Sequence, residues 1–349
     1  MNDLKISTLS SLTTSLSLAD FTNPSSSSNK ASLTVSSPRH GMRKMQHQLA
    51  VFSSIQPSPS YVGELGELWQ FPSDHLPIGI SINNFHFASW NILNKDYLHH
   101  IAANSQGLKD SLIMQMNKPS LTDDRLTLRE ELVIEQVLSL LQHPEYPRSA
   151  LCLQETGENF WEVLKERLPS KFKTLTTFPD DLAHGDVFIY DADLFAFEML
   201  TSQKYDCHPA NTMMCLTLRD RSSNQLYRII QSHIPGGPIK SEPARKEFAD
   251  FVLSNFDPSM AIVIMGDMNG TPQIIQDHFK QSASTSGIEQ PYTAALPPYP
   301  THVNTHKEAS WIDNIFYSVP NGMNVRVSNE KSFFPAVQET ANLLNERFI

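Results

Sequence analysis

Polar side chains suited to metal and phosphate chemistry lie at or near the ends of several apolar segments of this sequence. Each segment is predicted to be a strand, and the polar residue comes close to where the strand gives way to a loop. Carboxylates are ligands that hard dications such as Mg²⁺ prefer, and imidazole and amide groups can donate hydrogen bonds to phosphate oxygens. Five strands carry such residues, namely Asn91, Glu155, His233, Asp267 with Asn269, and Asp313, and the Asp74-His75 pair is a sixth site.

Taken one at a time, these residues differ in how strongly each indicates a functional role. Taken alone, Glu155 is better explained as a solvated carboxylate, and His233 as a hydrogen-bonded core histidine. Asp313 is more informative because it lies inside an apolar strand, where an unpaired buried carboxylate is costly and needs a cation or a donor. Asp267 and Asn269 follow an unbroken hydrophobic run that predicts a strand buried on both faces. For that pair a functional role is favoured.

A β-hairpin is predicted to bring two of the polar sites together. Residues 76–82 and 85–88 alternate weakly in hydrophobicity, and Asn83-Asn84 between them can form a two-residue turn. Paired strands would place Asp74-His75 at the same end of a sheet as Asn91. The simpler alternative is an ordinary surface loop with a polar tip.

The elements that must position these residues alternate between helices and strands. Helices are predicted at 97–101, 108–116, 124–142, 159–168, 241–255 and 336–348, the third of them capped by Asp123 or Asp124. Further strands are predicted at 150–153, 186–190, 212–219, 227–233, 261–265, 311–317 and 324–327. Several adjacent strands are joined by connections too short for a helical crossover. The pattern therefore predicts one α/β domain in which a pair of mixed sheets has helices outside.

Composition limits the function classes without choosing among them. The 349-residue chain has 40% hydrophobic and 18% charged residues, which is ordinary for a globular protein. A formal charge of -10 argues against a protein that grips nucleic acid through a broad basic surface. A nuclease remains compatible with that charge, because a divalent metal supplies positive charge locally. Three cysteines without zinc-like spacing disfavour a disulfide framework and mildly favour a reducing compartment.

The first 60 residues are predicted to be a disordered segment rich in Ser and Thr, and the catalytic domain to span residues 61–349. No apolar run is long enough to cross a bilayer or to serve as a secretory signal. We expect a cytoplasmic protein or one delivered outside the cell by a non-classical signal. Nothing in the sequence indicates an obligate oligomer.

Taken together, the polar sites resemble the motifs of the endonuclease/exonuclease/phosphatase superfamily of metal-dependent phosphoesterases. Rival motifs such as a Gly-rich phosphate loop, a Gly-x-Ser-x-Gly elbow or a histidine pair with metal spacing are absent from the sequence. The resemblance covers residues 73–318 and implies a four-layer α/β sandwich. The matching segments are Ser73-Asp74-His75-Leu76-Pro77, Ser89-Trp90-Asn91-Ile92, Leu153-Gln154-Glu155, Ser232-His233-Ile234-Pro235, Gly266-Asp267-Met268-Asn269 and Ile312-Asp313-Asn314-Ile315-Phe316.

The order of these motifs departs from the family. The Ser-Asp-His-x-Pro signature comes last in the family and first here, and no Asp-His pair follows Asp313. We interpret this as a circular permutation in which Asn83-Asn84 joins the family's last strand to its first. The alternative is a degenerate member with a chance Ser-Asp-His-Leu-Pro. The permutation predicts that His75 lies close to Asp313.

The resemblance implies which residues hold the metal and activate water. Glu155, with Asn91, would bind Mg²⁺ or Mn²⁺. Asp267 would orient or deprotonate the attacking water, and Asn269 would hold a phosphate oxygen.

It also implies roles for the remaining polar residues. His75, paired with Asp313, would contact the phosphate, and His233 would donate to the transition state. Asp74 would serve a second metal or orient the site.

The implied substrate is a phosphodiester in RNA or a nucleotide, because the motifs are most similar to the deadenylase-like branch. The inositol 5-phosphatase signature Trp-Cys-Asp-Arg is replaced by Trp311-Ile312-Asp313-Asn314, and Leu93 replaces the extra acid of abasic-site endonucleases. A sphingomyelinase-like phospholipid or inositol-phosphate phosphoesterase remains an alternative. So does a non-catalytic binding module that keeps the fold.

Overall fold

The computed structural model describes residues 73–101, 106–120, 122–143, 148–178, 184–237, 239–287, 292–295, 301–303 and 309–327, all of which belong to one compact unit, Met45–Ile349. The predicted boundary at residue 60, the Ser-rich segment and the helix at 336–348 lie outside these ranges.

Five α-helices and fourteen strands form within the described residues. The helices are α1 (Gln106–Met116), α2 (Leu128–Leu141), α3 (Glu158–Arg167), α4 (Ser241–Ser254) and α5 (Pro272–Ser286), and a 3₁₀ helix spans Lys95–His100. The strands are β1 (Ile78–Ile82), β2 (Phe85–Asn91), β3 (Ala150–Gly157), β4 (Phe172–Thr177), β5 (His184–Asp191), β6 (Phe195–Lys204), β7 (Thr212–Asp220), β8 (Leu226–Ser232), β9 (Ala261–Asp267), β10 (Thr293–Ala295), β11 (His302–Val303), β12 (Ala309–Ser310), β13 (Asp313–Ser318) and β14 (Val325–Val327).

The start of α2 differs from the prediction. The helix begins at Leu128, and Thr127 caps it in a capping box with Glu130, whose carboxylate accepts a 2.7 Å bond from the Thr127 N–H. Asp123 instead forms a salt bridge with Arg125 at 2.8 Å. The reciprocal Thr127–Glu130 pair satisfies two N–H groups at once, which explains why the predicted Asp123 or Asp124 cap was wrong.

Two six-stranded mixed sheets form the centre of the fold, in the orders β14-β1-β2-β3-β5-β4 and β10-β13-β9-β8-β7-β6. The predicted hairpin is present: β1 and β2 pair antiparallel, with Ile78 opposite Ser89 and Ile82 opposite Phe85. Each sheet contains a parallel pair, β2 with β3 in the first and β8 with β9 in the second, and the other neighbours are antiparallel.

Three hydrophobic clusters separate four layers. The middle cluster lies between the sheets and includes Ile80 and Phe87 from one and Ile229 and Met265 from the other. A second cluster packs α2 and α3 on the first sheet, and a third packs α4 and α5 on the second. The predicted α/β sandwich of two mixed sheets flanked by helices is confirmed, and the helices fix both sheets from outside.

Candidate active site

The two parallel pairs deliver their polar residues to one place. Asn91 ends β2, and Glu155 lies two residues before the end of β3. Asp267 ends β9, and His233 directly follows β8. The Asn91 Nδ2 donates to Glu155 Oε1 at 2.9 Å and to Asp267 Oδ2 at 3.1 Å, which joins the two sheets. Strands of a parallel pair end at the same sheet edge, so this convergence follows from the topology.

The backbone around these residues adopts positive φ angles, which residues other than glycine usually avoid. The φ angles are 57° at Glu155, 55° at Leu93 and 44° at Asn269. Gly266, at φ 148°, precedes Asp267, and a Cβ there would lie 2.1 Å from the Ser232 carbonyl oxygen. Positive φ at non-glycine residues costs about 1–3 kcal/mol each and clusters at functional sites.

His75 is held tightly by Asp313. Its Nδ1 lies 2.9 Å and 3.1 Å from the two carboxylate oxygens, and both residues are buried. Its Nε2 lies 3.7 Å from Asp74 Oδ1 and 3.7 Å from Asp267 Oδ2. Burial by itself lowers the pKa of His75, but Asp313, Asp74 and Asp267 outweigh it and hold that pKa well above 6.5. The three carboxylates therefore favour the protonated form of the imidazole.

Ser73 and Trp90 fix the chain on either side of His75. The Ser73 hydroxyl donates to the Asn91 carbonyl at 2.8 Å and accepts from the His75 N–H at 3.1 Å. The Trp90 indole donates to the His75 carbonyl at 3.0 Å. These bonds lock the open end of the hairpin.

His233 approaches the carboxylates at longer range. Its Nε2 lies 3.6 Å from Asp267 Oδ2 and 3.7 Å from Glu155 Oε1, and its side chain is 17% exposed. The Asn211 amide holds its backbone carbonyl at 2.8 Å. His233 therefore faces the opening of the cleft.

The two predicted asparagines present their amide nitrogens to neighbouring acceptors. The Asn269 Nδ2 donates to the Ile234 carbonyl at 2.8 Å, and its backbone N–H donates to Asp267 Oδ1 at 3.0 Å. The Asn91 Oδ1 accepts from the Leu93 N–H at 3.0 Å. In this orientation Asn91 acts as a donor between two carboxylates, and a role as ion ligand would need the amide turned over.

Three residues join the cleft without having been predicted. Asp186 lines a small pocket with Asn211 and His233. The His302 ring packs against the His75 ring, with centroids 4.5 Å apart and ring planes tilted by 45°. The buried Arg129 donates to the Ile92 carbonyl at 2.8 Å and to the Leu93 carbonyl. The isolated aspartate in the predicted strand 186–190 was a signal that could have identified Asp186. No sequence pattern links His302 or Arg129 to the site.

The donor set fits a hard divalent cation. Oxygens of Glu155 and Asp267 converge on the same Asn91 amide and the same His233 nitrogen, and Asp74 and Asp313 add buried carboxylates nearby. Burial raises the pKa of Asp186 to about 7; His233 opposes the shift, while Glu155 and Asp267 add to it. Such an excess of buried negative charge needs cations, and carboxylate oxygens are what Mg²⁺ and Mn²⁺ take.

One comparison with known proteins identifies the family. A sequence profile described as "Endonuclease/Exonuclease/phosphatase family" matches residues 88–322. No curated protein sequence matches the chain at a significant level.

Solved structures similar to this chain share little sequence with it. The human Nocturnin catalytic domain with bound sulfate is 15% identical (68% of this chain, 84% of that one, TM-score 0.47). A humanized D. rerio TDP2 is 15% identical; the match covers 71% of this chain and 85% of that one, with a TM-score of 0.46. ANGEL2, a 2',3'-cyclic phosphatase in complex with adenosine-2',3'-vanadate, is 14% identical; the match covers 74% of this chain and 91% of that one, with a TM-score of 0.46. In the part of the chain that the structure describes, no helix is long and apolar enough to span a membrane.

Proposed function

Because the chain belongs to the endonuclease/exonuclease/phosphatase family, whose members are phosphoric ester hydrolases, we propose that it hydrolyses a phosphodiester with the help of Mg²⁺ or Mn²⁺. RNA or a nucleotide is the substrate class we favour, on the similarity of its motifs to the deadenylase-like branch.

One observation carries the proposal: a single oxygen of Asp267 is approached by three groups from three different segments. Asp267 Oδ2 lies 3.1 Å from Asn91 Nδ2, 3.6 Å from His233 Nε2 and 3.7 Å from His75 Nε2. A buried carboxylate between an amide and two imidazoles is placed to accept a proton from water and to hold the oxygen in line with a phosphorus.

Glu155 would hold the ion, and a bound ion supplies charge neutralisation at the phosphate and at the leaving oxygen. Asn91 orients both carboxylates by donating one amide hydrogen to each. The Asn94 N–H, 3.0 Å from Glu155 Oε2, fixes the other oxygen of Glu155. These contacts restrict Glu155 to one position before substrate arrives.

The two histidines would stabilise charge on the phosphate. His75, whose protonated form is favoured by Asp313, would present its Nε2–H to a phosphate oxygen, and His233 would donate as negative charge develops. Asn269 would contribute its amide to another phosphate oxygen after releasing the Ile234 carbonyl. Asp74, whose Oδ1 lies 3.7 Å from the same nitrogen, would help to orient the site or would serve a second metal.

The test is a hydrolysis screen on the purified full chain with Mg²⁺ or Mn²⁺. Oligo(A), mixed RNA, DNA, sphingomyelin and phosphoinositides are offered, and EDTA must stop any turnover. Glu155→Ala, Asp267→Ala and His75→Ala should each reduce turnover by about 10²–10⁴-fold without unfolding the domain. The exposed carboxylates Glu162 and Asp277, changed to Ala, are matched controls that should keep full activity.

Each outcome of the screen has a distinct meaning. Turnover of lipid substrates alone would move the assignment to the phospholipid or inositol-phosphate alternative. Absence of turnover on every substrate would favour a non-catalytic binding module. Wild-type activity in all three cleft variants would remove these residues from the mechanism.

We also propose that the chain order is a circular permutation of the family order. Two contacts support it: His75 lies 2.9 Å from Asp313, and β1 pairs with β14 on one side and β2 on the other. Moving residues 73–84 to follow Val327 would restore the family order. Val327 lies opposite Ile80, so a flexible linker of about ten residues would span the roughly 23 Å back to Ser73.

The reordered chain should fold with the same secondary structure and keep measurable metal-dependent activity. A reordered chain that folds without activity would contradict the permutation, provided that a chain with the same linker inserted after Val327 and no reordering stays active.

A further inference from the structure

Arg129 reaches from α2 to the loop that follows β2. The residue is 2% exposed, and its two terminal nitrogens donate to two successive backbone carbonyls, that of Ile92 at 2.8 Å and that of Leu93. The planar fork of a guanidinium suits it to bind two acceptors at once. Arg129 therefore holds both peptide groups that flank Leu93, one through each arm of the fork.

The backbone at Leu93 allows this double contact. Successive carbonyls of an extended strand point in opposite directions, whereas the φ angle of Leu93 is 55°, in the left-handed region. A leucine rarely adopts that conformation, because its Cβ approaches the following carbonyl oxygen. The two hydrogen bonds from Arg129 stabilise a turn that the Leu93 side chain disfavours.

The opposite edges of the same two peptide groups face the cleft. The first donates through the Leu93 N–H to Asn91 Oδ1 at 3.0 Å, and the second donates through the Asn94 N–H to Glu155 Oε2 at 3.0 Å. A trans peptide group is planar, and its C=O and N–H point in opposite directions. Each carbonyl that Arg129 holds therefore sets the direction of one N–H that contacts a site residue.

These two N–H groups set the orientation of Asn91 and Glu155. Because Asn91 Oδ1 accepts from the Leu93 N–H, the Asn91 Nδ2 is turned toward Glu155 Oε1, to which it donates at 2.9 Å. The Asn94 N–H occupies the other oxygen of Glu155. Hydrogen bonds in series polarise one another, so a cation at the carbonyl side strengthens the N–H donor at the other side. The charge of Arg129 thus acts on both residues through the backbone.

Arg129 also brings a fixed positive charge behind the carboxylates of the cleft. Burial lowers the pKa of Arg129 to about 10, and Glu130, Asp74 and Glu155 oppose that shift. The guanidinium therefore remains protonated at neutral pH. A cation at this position reduces the repulsion among the buried carboxylates before an ion binds.

We propose that Arg129 is a positioning residue that holds Glu155 and Asn91 in their binding orientation through the two peptide groups beside Leu93. The inference rests on the proposed function, which takes Glu155 as the ligand of Mg²⁺ or Mn²⁺. Removal of a group that orients a metal ligand by hydrogen bonding typically weakens metal affinity by about 10–100-fold. Without Arg129, the two N–H donors would lose their fixed direction, and Glu155 would meet the ion in several orientations.

The test compares Mn²⁺ binding by the metal-stripped full chain, followed by electron paramagnetic resonance, in the wild type and two variants. Arg129→Met keeps the approximate length of the side chain and removes its charge and donors, and we expect its Mn²⁺ affinity to be about 10–100-fold weaker. Arg129→Lys keeps the charge but lacks the fork, so its loss of affinity should be smaller. The Lys variant also decides the outcome if the Met variant fails to fold.

Hydrogen exchange measures the same contact without an ion. In the metal-free chain, Arg129→Met should speed exchange of the Leu93 and Asn94 amides by about tenfold more than that of the β9 amides. Tenfold is the upper range for the loss of one hydrogen bond, about 1.5 kcal/mol. The β9 amides report the change in global stability, which the comparison removes.

Two control variants separate positioning from a general loss of stability. Val137→Ala removes buried methyl groups from the same helix, so it should lower the melting temperature and leave Mn²⁺ affinity unchanged. Arg125→Met removes an exposed arginine just before α2 and should also leave Mn²⁺ affinity unchanged.

Wild-type Mn²⁺ affinity in the folded Arg129 variants, or an equal loss of affinity in Val137→Ala, would overturn the proposal. A wild type that binds no Mn²⁺ would refute the proposed function instead. The exchange measurement then decides alone: faster exchange of the Leu93 and Asn94 amides in Arg129→Met supports the positioning role, and unchanged exchange overturns it.

Discussion

Two histidines approach the same oxygen of Asp267, and their surroundings differ. His75 is 5% exposed, contacts both oxygens of Asp313 through Nδ1, and lies in a hairpin end locked by Ser73 and Trp90. The His233 side chain is 17% exposed, and its contacts with Asp267 and Glu155 at 3.6 and 3.7 Å are longer than hydrogen bonds.

The different surroundings of His75 and His233 suit the two imidazoles to different roles. A buried imidazole on a carboxylate has its charge and direction set before substrate binds, which is the arrangement that lowers a barrier electrostatically. A ring at the mouth of the cleft can rotate toward a leaving group. We therefore expect changes near His75 to cost both activity and stability, and changes at His233 to cost activity alone.

The largest effect should come from Asp313→Asn, which removes the charge that holds His75 in place. We expect kcat to fall by about 10²–10⁴-fold. Breaking a buried ion pair also typically costs about 3–5 kcal/mol of stability. Steady-state kinetics and thermal melts measure both, with the exposed Asp277→Asn as control. A variant that loses neither activity nor stability would show that Asp313 does not set the state of His75.

Asp186→Asn changes the pH dependence of stability at the pocket that Asp186 lines together with His233. Folding raises the pKa of this carboxyl from 3.8 to about 7, so the folded protein binds the proton more tightly than the unfolded chain. Stability should therefore fall as pH rises from about 4 to 7, by as much as about 4 kcal/mol for a shift of roughly three units. The Asn variant avoids that loss. Its melting temperature should be several degrees above that of the wild type at pH 8 and nearly equal to it at pH 4. A melting-temperature difference between the variant and the wild type that does not change with pH would contradict the raised pKa of Asp186.

His233→Asn should have the smallest free-energy effect of the three. We expect kcat to fall by about 100-fold, near the lower bound for a positioned proton donor, with the melting temperature unchanged within about 1 °C. The matched comparison is His75→Asn, which should lose more activity and also lower the melting temperature. Equal losses in both variants would mean that the two rings share one role.

Much of the fold followed from sequence patterns because its central strands are buried on both faces. The hydrophobic run 261–265 predicted β9, and the Asn83-Asn84 turn predicted the β1–β2 hairpin. Six elements were missed: β4, β6, the short strands β10, β11 and β12, and α5. β6 is an edge strand with a register shift between Phe197 and Met199, which breaks its alternation. α5 carried a signal, since Pro272 is in its first turn and Ile275, Phe279 and Ala283 lie on one face.

The site was predictable where chemistry follows a strand and unpredictable where it depends on distant pairing. Asp267 and Asp313 were identified from their positions on apolar strands. His302 was not, because its importance comes from Asp74 and His75, more than two hundred positions away in the sequence. Arg129 lies in a helix predicted from its apolar face, and that pattern carries no information about a charged residue that reaches back to the Ile92 carbonyl.

The hairpin also bears on how the chain folds. Asn83, at φ 54°, turns the chain so that Ser73 bonds to Asn91 across only 18 positions, whereas His75 and Asp313 are 238 positions apart. Closing the first loop costs little chain entropy and closing the second costs more, although the cost grows only slowly with length. The hairpin therefore gives this part of the site a low contact order, and we expect it to form before Asp313 arrives. Residues that form early affect the folding rate more than the unfolding rate, so a β-branched residue at position 83 should mainly slow folding.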